Sequence, residues 1–242
     1  MSNSSLVNYI RLSPNHSGLR NHRIDTISIH CMAGNLSVET CGALFAKSST
    51  QASSNYGIGS DGRIALYVSE ANRSWCTSSA LNDNRAITIE VANIEAQEPY
   101  RISDAAYKSL IRLLVDICQR NNIPELRWRA NPSLIGNVSR QNMTVHRWFA
   151  NKSCPGQWLF EHHGQIAADV NEELEAENMD GKEIYNRLNE YLSSLSAPEW
   201  AAKEIAEAKA MGITDGTKPM TLIPRYQAAI MAKRAVEAAK KG

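Results

Sequence analysis

The sequence has no surplus of charge and no long apolar run, and each absence closes off a class of function. Its 242 residues carry 26 basic and 25 acidic side chains, a formal net charge of +1. Wholesale binding to nucleic acid or to an anionic membrane surface needs a basic excess, so neither is expected. No window approaches the roughly 20 apolar residues of a membrane span, so no membrane insertion is expected either. The cysteines at 31, 41, 76, 118 and 154 are odd in number and scattered. That fits free thiols in a reduced compartment rather than a disulfide framework. The opening from Met1 to Pro14 is polar and lacks an apolar core before a small-residue cleavage site. The expectation is therefore a soluble product made in the cytoplasm without a signal peptide.

At about 150 residues per domain, the length suits one full domain and a small second one. In IDTISIH, Ile27 and Ile29 alternate with Ser28 and His30, the pattern of a half-buried strand. Ser37 is placed to open a helix whose Val38, Cys41 and Phe45 share a stripe. Residues 55–60 and 63–68 flank Asp61-Gly62, a hairpin turn signal. In AITIEVAN, Ile87, Ile89 and Val91 take one face, and Thr88, Glu90 and Ala92 the other. Ser103 and Asp104 cap a long amphipathic helix with Ala106, Leu110, Leu113 and Ile117 inward. Residues 129–144 read as loop, and a further helix is expected from Pro155 through Ile166, Val170 and Leu174. Strands interspersed with helices give an α/β layered fold. From about Glu172 the composition shifts: acidic residues cluster up to Asp180, and a short helix reads out of Lys182–Leu195. An Ala-rich tail of two helices, separated by GITDGTKP, begins at Ala197-Pro198, with its second helix expected over Ile223 to Ala235.

The residues that suggest chemistry are His30, His146 and Cys154. His30 ends a strand on the face opposite Ile27 and Ile29, and VHRWFANKSCPG carries the other two with seven residues between them. Imidazole and thiolate are ligands that zinc prefers, and three protein ligands leave a fourth position for water. By spacing alone they also read as core or surface residues. Cys154 would sit at a helix N-terminus, where the dipole favours thiolate. Glu90 stands mid-strand between Ile89 and Val91, where a buried carboxylate is costly unless paired or functional. It reads equally as an exposed face or a partner of Arg85 or Arg73. His30 and Glu90 each lie opposite an isoleucine pair, so one sheet could present both to one cleft.

ISIHCMAG, SSNYGIGSDGRI, AITIEVAN and TVHRWFANKSCPG, in that order, closely resemble the zinc-dependent N-acetylmuramoyl-L-alanine amidases. This family also contains peptidoglycan recognition proteins and many phage endolysins. The resemblance covers about residues 1–170. It implies a central mixed sheet flanked by helices, with a zinc (Zn2+) cleft over one sheet face. It implies His30, His146 and Cys154 as metal ligands, Glu90 as catalytic carboxylate and Lys152 as a cationic helper. Some family members carry a catalytic tyrosine where this chain has Ser54; the endolysin branch, which it looks like, uses the Glu90-type carboxylate instead. Tyr56 is then expected in the core. Cys31 reads as a buried thiol pointing away from the ligands, Cys41 and Cys118 as core, and Cys76 as a cleft-loop residue or a buried one. His16, His22, His162 and His163 read as surface. Trp75, Trp128 and Trp148 read as sugar-stacking surfaces or as ordinary core aromatics.

The expectation is thus a catalytic domain over 1–175, a helical linker over 176–196 and a helical unit over 197–242. The last resembles a single S-layer-homology unit, with cell-wall binding or homo-oligomerisation as its expected roles. The expected partner is bacterial peptidoglycan, cleaved between N-acetylmuramic acid and L-alanine. Lack of an export signal fits an endolysin made in the host cytoplasm and released to the wall. A non-catalytic muropeptide-binding protein is the alternative, and retention of Cys154 speaks against it.

Overall fold

A computed structural model of the chain describes residues 2–178 and 181–240. Contacts divide it into two compact units, Met1–Glu177 and Asn178–Gly242. The first unit holds β1 Tyr9–Ile10, β2 His16–Leu19, β3 Thr26–Cys31, β4 Tyr56–Ile58, β5 Ile64–Leu66, β6 Asn72–Ser74, β7 Ala86–Val91 and β8 Met143–Thr144. Its helices are α1 Val38–Phe45, α2 Ala80–Arg85, α3 Asp104–Arg120 and α4 Gln157–Asn178, the last reaching one residue past the division. Six strands form one mixed sheet in the order β1-β5-β4-β7-β3-β8, while β2 and β6 pair as a separate antiparallel ribbon. Within the large sheet only β4 and β5 run antiparallel, closing the expected hairpin at Asp61-Gly62. This is the mixed sheet flanked by helices that the family resemblance implies.

Period-two alternation decides the two faces of the sheet. Ile27, Ile29, Ile87 and Ile89 are fully buried in one core with Leu110, Leu113 and Ile117 of α3 and Ile166 and Val170 of α4. Each such side chain contributes roughly 1.5–3 kcal/mol by leaving water. Ser103 caps α3 by accepting from the Ala106 N–H, and Ser37 caps α1 through the Thr40 N–H. A second, smaller core joins Val38 and Cys41 of α1 to Ala65 and Tyr67. The Tyr67 ring lies over Gly57, where a Cβ would collide with it, so glycine is required at that close approach.

Two helix starts differ from expectation. Gly156 has φ +85 and its N–H closes a turn onto the Ser153 carbonyl at 2.9 Å. Pro155 therefore belongs to that turn, and α4 begins at Gln157. In the tail, Pro224 disfavours helix at Ile223 before it, so the last helix starts at Arg225 rather than Ile223. The short strands β1, β6 and β8 and the helix α2 carry too few residues for a periodic signal.

The second unit consists of α5 Gly181–Ser194, α6 Ala202–Ala210 and α7 Arg225–Ala239. Asp180, the end of the acidic cluster, lies outside the described residues. No residue of α5, α6 or α7 is buried, and Trp200 and Tyr226 are 78% and 64% exposed. Among the described residues no helix is long and apolar enough to cross a membrane.

A buried ion pair ties the first unit together. Glu70, 1% exposed, accepts from both guanidinium nitrogens of Arg120 at 2.7 and 2.9 Å and from the Tyr56 hydroxyl at 2.5 Å. The Ser4 N–H in turn donates to Tyr56 Oη at 2.8 Å, which fastens the N-terminal segment. Arg120→Ala should lower the unfolding free energy by about 3 kcal/mol or more, because Glu70 would stay buried without its cation. Urea unfolding measures this, and a loss below about 1 kcal/mol would show the pair to behave like an exposed one.

Candidate metal centre and active-site cleft

Strand pairing builds the site. β3 and β7 run parallel with His30 opposite Glu90, so both side chains emerge on the face away from the isoleucines. His30 is completely buried, and burial lowers its pKa to about 3, with His146 and His163 adding to the effect. The ring is neutral at physiological pH. Ser28, two residues earlier on the same face, fixes its tautomer. The Ser28 hydroxyl donates to the Thr144 carbonyl at 3.3 Å, so it accepts from His30 Nε2–H at 3.1 Å. Nδ1 is left with its lone pair, and the Cys154 thiol sits 3.3 Å from it.

His146 opens a single 3-10 turn just after β8, half-buried, with its ring centroid 5.2 Å from that of His30. Burial and then the Lys152 charge lower its pKa, which also favours the neutral ring. Ser78 Oγ lies 3.1 Å from its Nε2. Cys154 follows on a loop anchored by a bond from the Arg147 N–H to the Cys154 carbonyl at 3.2 Å. It does not occupy a helix N-terminus, because α4 starts three residues later. The expected lowering of its thiol pKa is absent: the neighbouring Cys31 thiol and burial push it well above the ordinary value. The donor atoms of His30, His146 and Cys154 lie within 4.8 Å of one another.

Glu90 faces the same space. Its Oε2 is enclosed without a hydrogen-bond partner, and Oε1 lies 3.9 Å from Cys76 Sγ. Burial and then Cys31 push its pKa well above the usual carboxylate range. Neither arginine considered as its partner pairs with it. Arg85 binds Asp25 at 2.7 Å, and Arg73 donates to the Ser17 hydroxyl. Lys152 is exposed on the Cys154 loop and lines a groove of about 480 Å³ with His146, Arg73, Trp75 and Gln51. Trp75 is fixed there by a 2.6 Å bond from its indole N–H to Ser17.

Other residues fall differently. Trp128 and Trp148 stack on each other with centroids 5.0 Å apart and ring planes 7° from parallel. His163 is not a surface residue. It is fully buried one helical turn after Leu159, its Nδ1–H donating to that carbonyl at 2.5 Å. Tyr56 is fully buried in the Glu70 network, and Cys31, Cys41, Cys76 and Cys118 are buried thiols. Cys31 does not point away from the ligands as expected, because its thiol meets that of Cys154. Sequence reasoning passed over Ser28, Ser78 and Asp83. The first could have been found from its place two residues before His30. Asp83 orders the Cys76 loop by accepting from the N–H groups of Cys76 and Thr77 at 3.1 Å each; nothing in the local sequence announces this.

Among solved structures, an endolysin N-acetylmuramoyl-L-alanine amidase from Clostridium intestinale is similar at 19% identity. It covers 69% of this chain and 99% of its own, with a TM-score of 0.47. A mutant endolysin from Bacillus subtilis is 16% identical over 68% of this chain and 99% of its own, with a TM-score of 0.48. No curated protein matches. The family model described as N-acetylmuramoyl-L-alanine amidase matches residues 20–157. That span exceeds half of the chain and runs from β3 to the Cys154 loop, and on this match the chain belongs to the N-acetylmuramoyl-L-alanine amidase family.

Proposed function

We propose that this peptidoglycan amidase works with zinc held by His30, His146 and Cys154, with Glu90 and Lys152 as its catalytic side chains. The observation that carries this reading is the gathering of two neutral imidazoles and a thiol beside an enclosed, unpartnered carboxylate. The donors fit zinc: nitrogen and sulfur ligands, three in number, with the tautomer of one already set by Ser28. Cys154 gives up its thiol proton on ligation, which overcomes the pKa rise that burial imposes. When bound, zinc polarises the scissile carbonyl and acidifies the attacking water.

The protein's own side chains handle the protons and the charge. Glu90 accepts the proton of the water through an oxygen that has no other partner, then returns it to the departing amine of L-alanine. A carboxylate whose pKa burial has raised suits both halves of that task. Lys152, two residues before Cys154 and on the same groove as His146, places a positive charge where the carbonyl oxygen becomes anionic. Arg73 and Trp75 extend the groove as walls for glycan and stem peptide.

We further propose an endolysin that is made in the host cytoplasm and acts on the wall after release, with the second unit holding it there or joining copies. Support comes from the endolysin-like Ser54 and from the exposed Trp200 and Tyr226 on a unit whose helices bury nothing. Several weak contacts from such a unit would add avidity.

Zinc content should fall in each of His30→Ala, His146→Ala and Cys154→Ser, measured by metal analysis of purified protein. Full zinc in all three would refute the ligand assignment. Glu90→Gln should keep zinc and fold yet lose about 100-fold or more in turnover, with Lys152→Ala losing less. The products should be new alanine amino termini without new reducing sugars; reducing ends would mean a glycosidase. A chain ending at Glu177 should cleave soluble muropeptides normally and sediment poorly with intact walls. Equal sedimentation of both forms would exclude a targeting role, and a smaller assembly for the shorter form would leave oligomerisation.

A further inference from the structure

The groove beside the metal ligands contains an arginine whose charge nothing in the protein answers. Arg73 stands at the middle of β6, and the pairing of β6 with β2 brings Ser17 to it. The Ser17 hydroxyl accepts from both the Arg73 guanidinium and the Trp75 indole, which fixes the two side chains together on the groove wall. Yet Arg73 has no carboxylate partner among the described residues, and its Nε–H is enclosed without an acceptor. A half-buried guanidinium with neither an ion pair nor a full set of acceptors is costly in the free protein. An anion entering the groove would recover that cost. Asp83 is the acidic side chain on the same wall, and it is already committed. It accepts from the N–H groups of Cys76 and Thr77 and, at 2.6 Å, from the Thr77 hydroxyl, and it feels Arg73 only through space. The groove thus presents two cations, Arg73 and Lys152, and no free anion.

We propose that Arg73 reads the second residue of the stem peptide, binding the free α-carboxylate of D-glutamate and discriminating against its amidated form. The proposal rests on the reading of the protein as a muramoyl-alanine amidase whose substrate lies in this groove. The scissile bond joins the lactyl group to L-alanine, and the residue after L-alanine carries the nearest carboxylate of the substrate. One extended residue spans about 3.3–3.6 Å, so this carboxylate follows closely on the leaving amine. Lys152 serves the oxyanion at the scissile carbonyl, which leaves Arg73 as the cation for a charge further along the groove. A guanidinium takes a carboxylate through two parallel N–H bonds, whereas a carboxamide offers it one oxygen and no charge. The discrimination acts on binding, so it belongs in KM rather than in kcat.

Two muramyl tripeptides ending in L-lysine, one with D-glutamate second and one with D-isoglutamine, are given to full-length zinc-loaded protein. Both carry the same terminal carboxylate, so only the charge at the second residue differs. Wild type should favour the acid by about tenfold or more in kcat/KM, with the difference in KM. The ratio should fall to about one in Arg73→Gln and lie between in Arg73→Lys, which keeps the charge without the fork. Equal kcat/KM for the two substrates in wild type, or an undiminished preference in Arg73→Gln, would overturn the proposal. Binding of the two product tripeptides, read by calorimetry, needs no turnover. The acid should bind more tightly than the amide to wild type and equally to Arg73→Gln; equal binding to wild type would overturn the assignment even without cleavage. Preferential binding with no cleavage of either substrate would refute the amidase reading and leave the role of Arg73 standing.

Discussion

The parallel ladder between β3 and β7 is the constraint on which the cleft depends. It sets residue 30 opposite residue 90, and a slip of one position would turn both side chains into the apolar layer. The register is enforced from the far side of the sheet. Ile27, Ile29, Ile87 and Ile89 are all completely buried there, so any slip would exchange four isoleucines for serine, threonine, histidine and glutamate. Packing against α3 thus positions polar groups that the helix never meets. β8 then joins the other edge of β3, pairing Met143 with Ile27 and Thr144 with Ser28. His146 arrives two residues further on as a direct result.

The polar face of the sheet is costly to build, and most of it is satisfied. Asn55 and Thr88 exchange bonds, the Asn55 N–H to Thr88 Oγ1 at 3.0 Å and the Thr88 N–H to Asn55 Oδ1 at 3.1 Å. Ser74 Oγ meets the same threonine at 2.8 Å, and Arg20 reaches Asn55 at 2.9 Å. Against that background the orphans stand out. Glu90 Oε2 and His163 Nε2 are enclosed and unpartnered, each at a cost of about 1–3 kcal/mol in an ordinary core. Both bear electrostatically on the cluster, Glu90 on Cys154 and His163 on His30. Polar groups left unsatisfied beside a site are where stability gives way to function.

The layered fold and the face carrying His30 and Glu90 were legible because strict alternation over six residues leaves one reading. Helix α3 was legible from its stripe and its Ser103 cap. What escaped was either short or tertiary. β8 spans two residues and exists because β3 offers it an edge, so no periodicity could reveal it. His163 looked like surface because it sits beside His162 in a polar stretch, yet it falls on the buried side of α4 with Leu159, Ile166 and Val170. The Cys154 thiol was misjudged through a helix start placed two residues early: the turn at Gly156 sets it apart from the helix end, and Cys31 with burial raises its pKa instead. Ser28 and Asp83 act through partners 116 and 6 residues away in sequence, and their roles appear only when the chain is folded.

The hydrogen bond from Ser28 to Thr144 spans 116 positions, and the Cys154–His30 contact spans 124. Contacts of such separation close long loops, and the entropic cost of closure grows with loop length. During vectorial synthesis, the β3 strand leaves the ribosome long before β8 or the Cys154 loop exists. A nascent chain therefore carries one histidine of the cluster and none of its partners through most of translation. The gathered His30, His146 and Cys154, on this topology, exist only in the completed first unit, and a ribosome-bound or prematurely terminated fragment ending before residue 146 cannot assemble them.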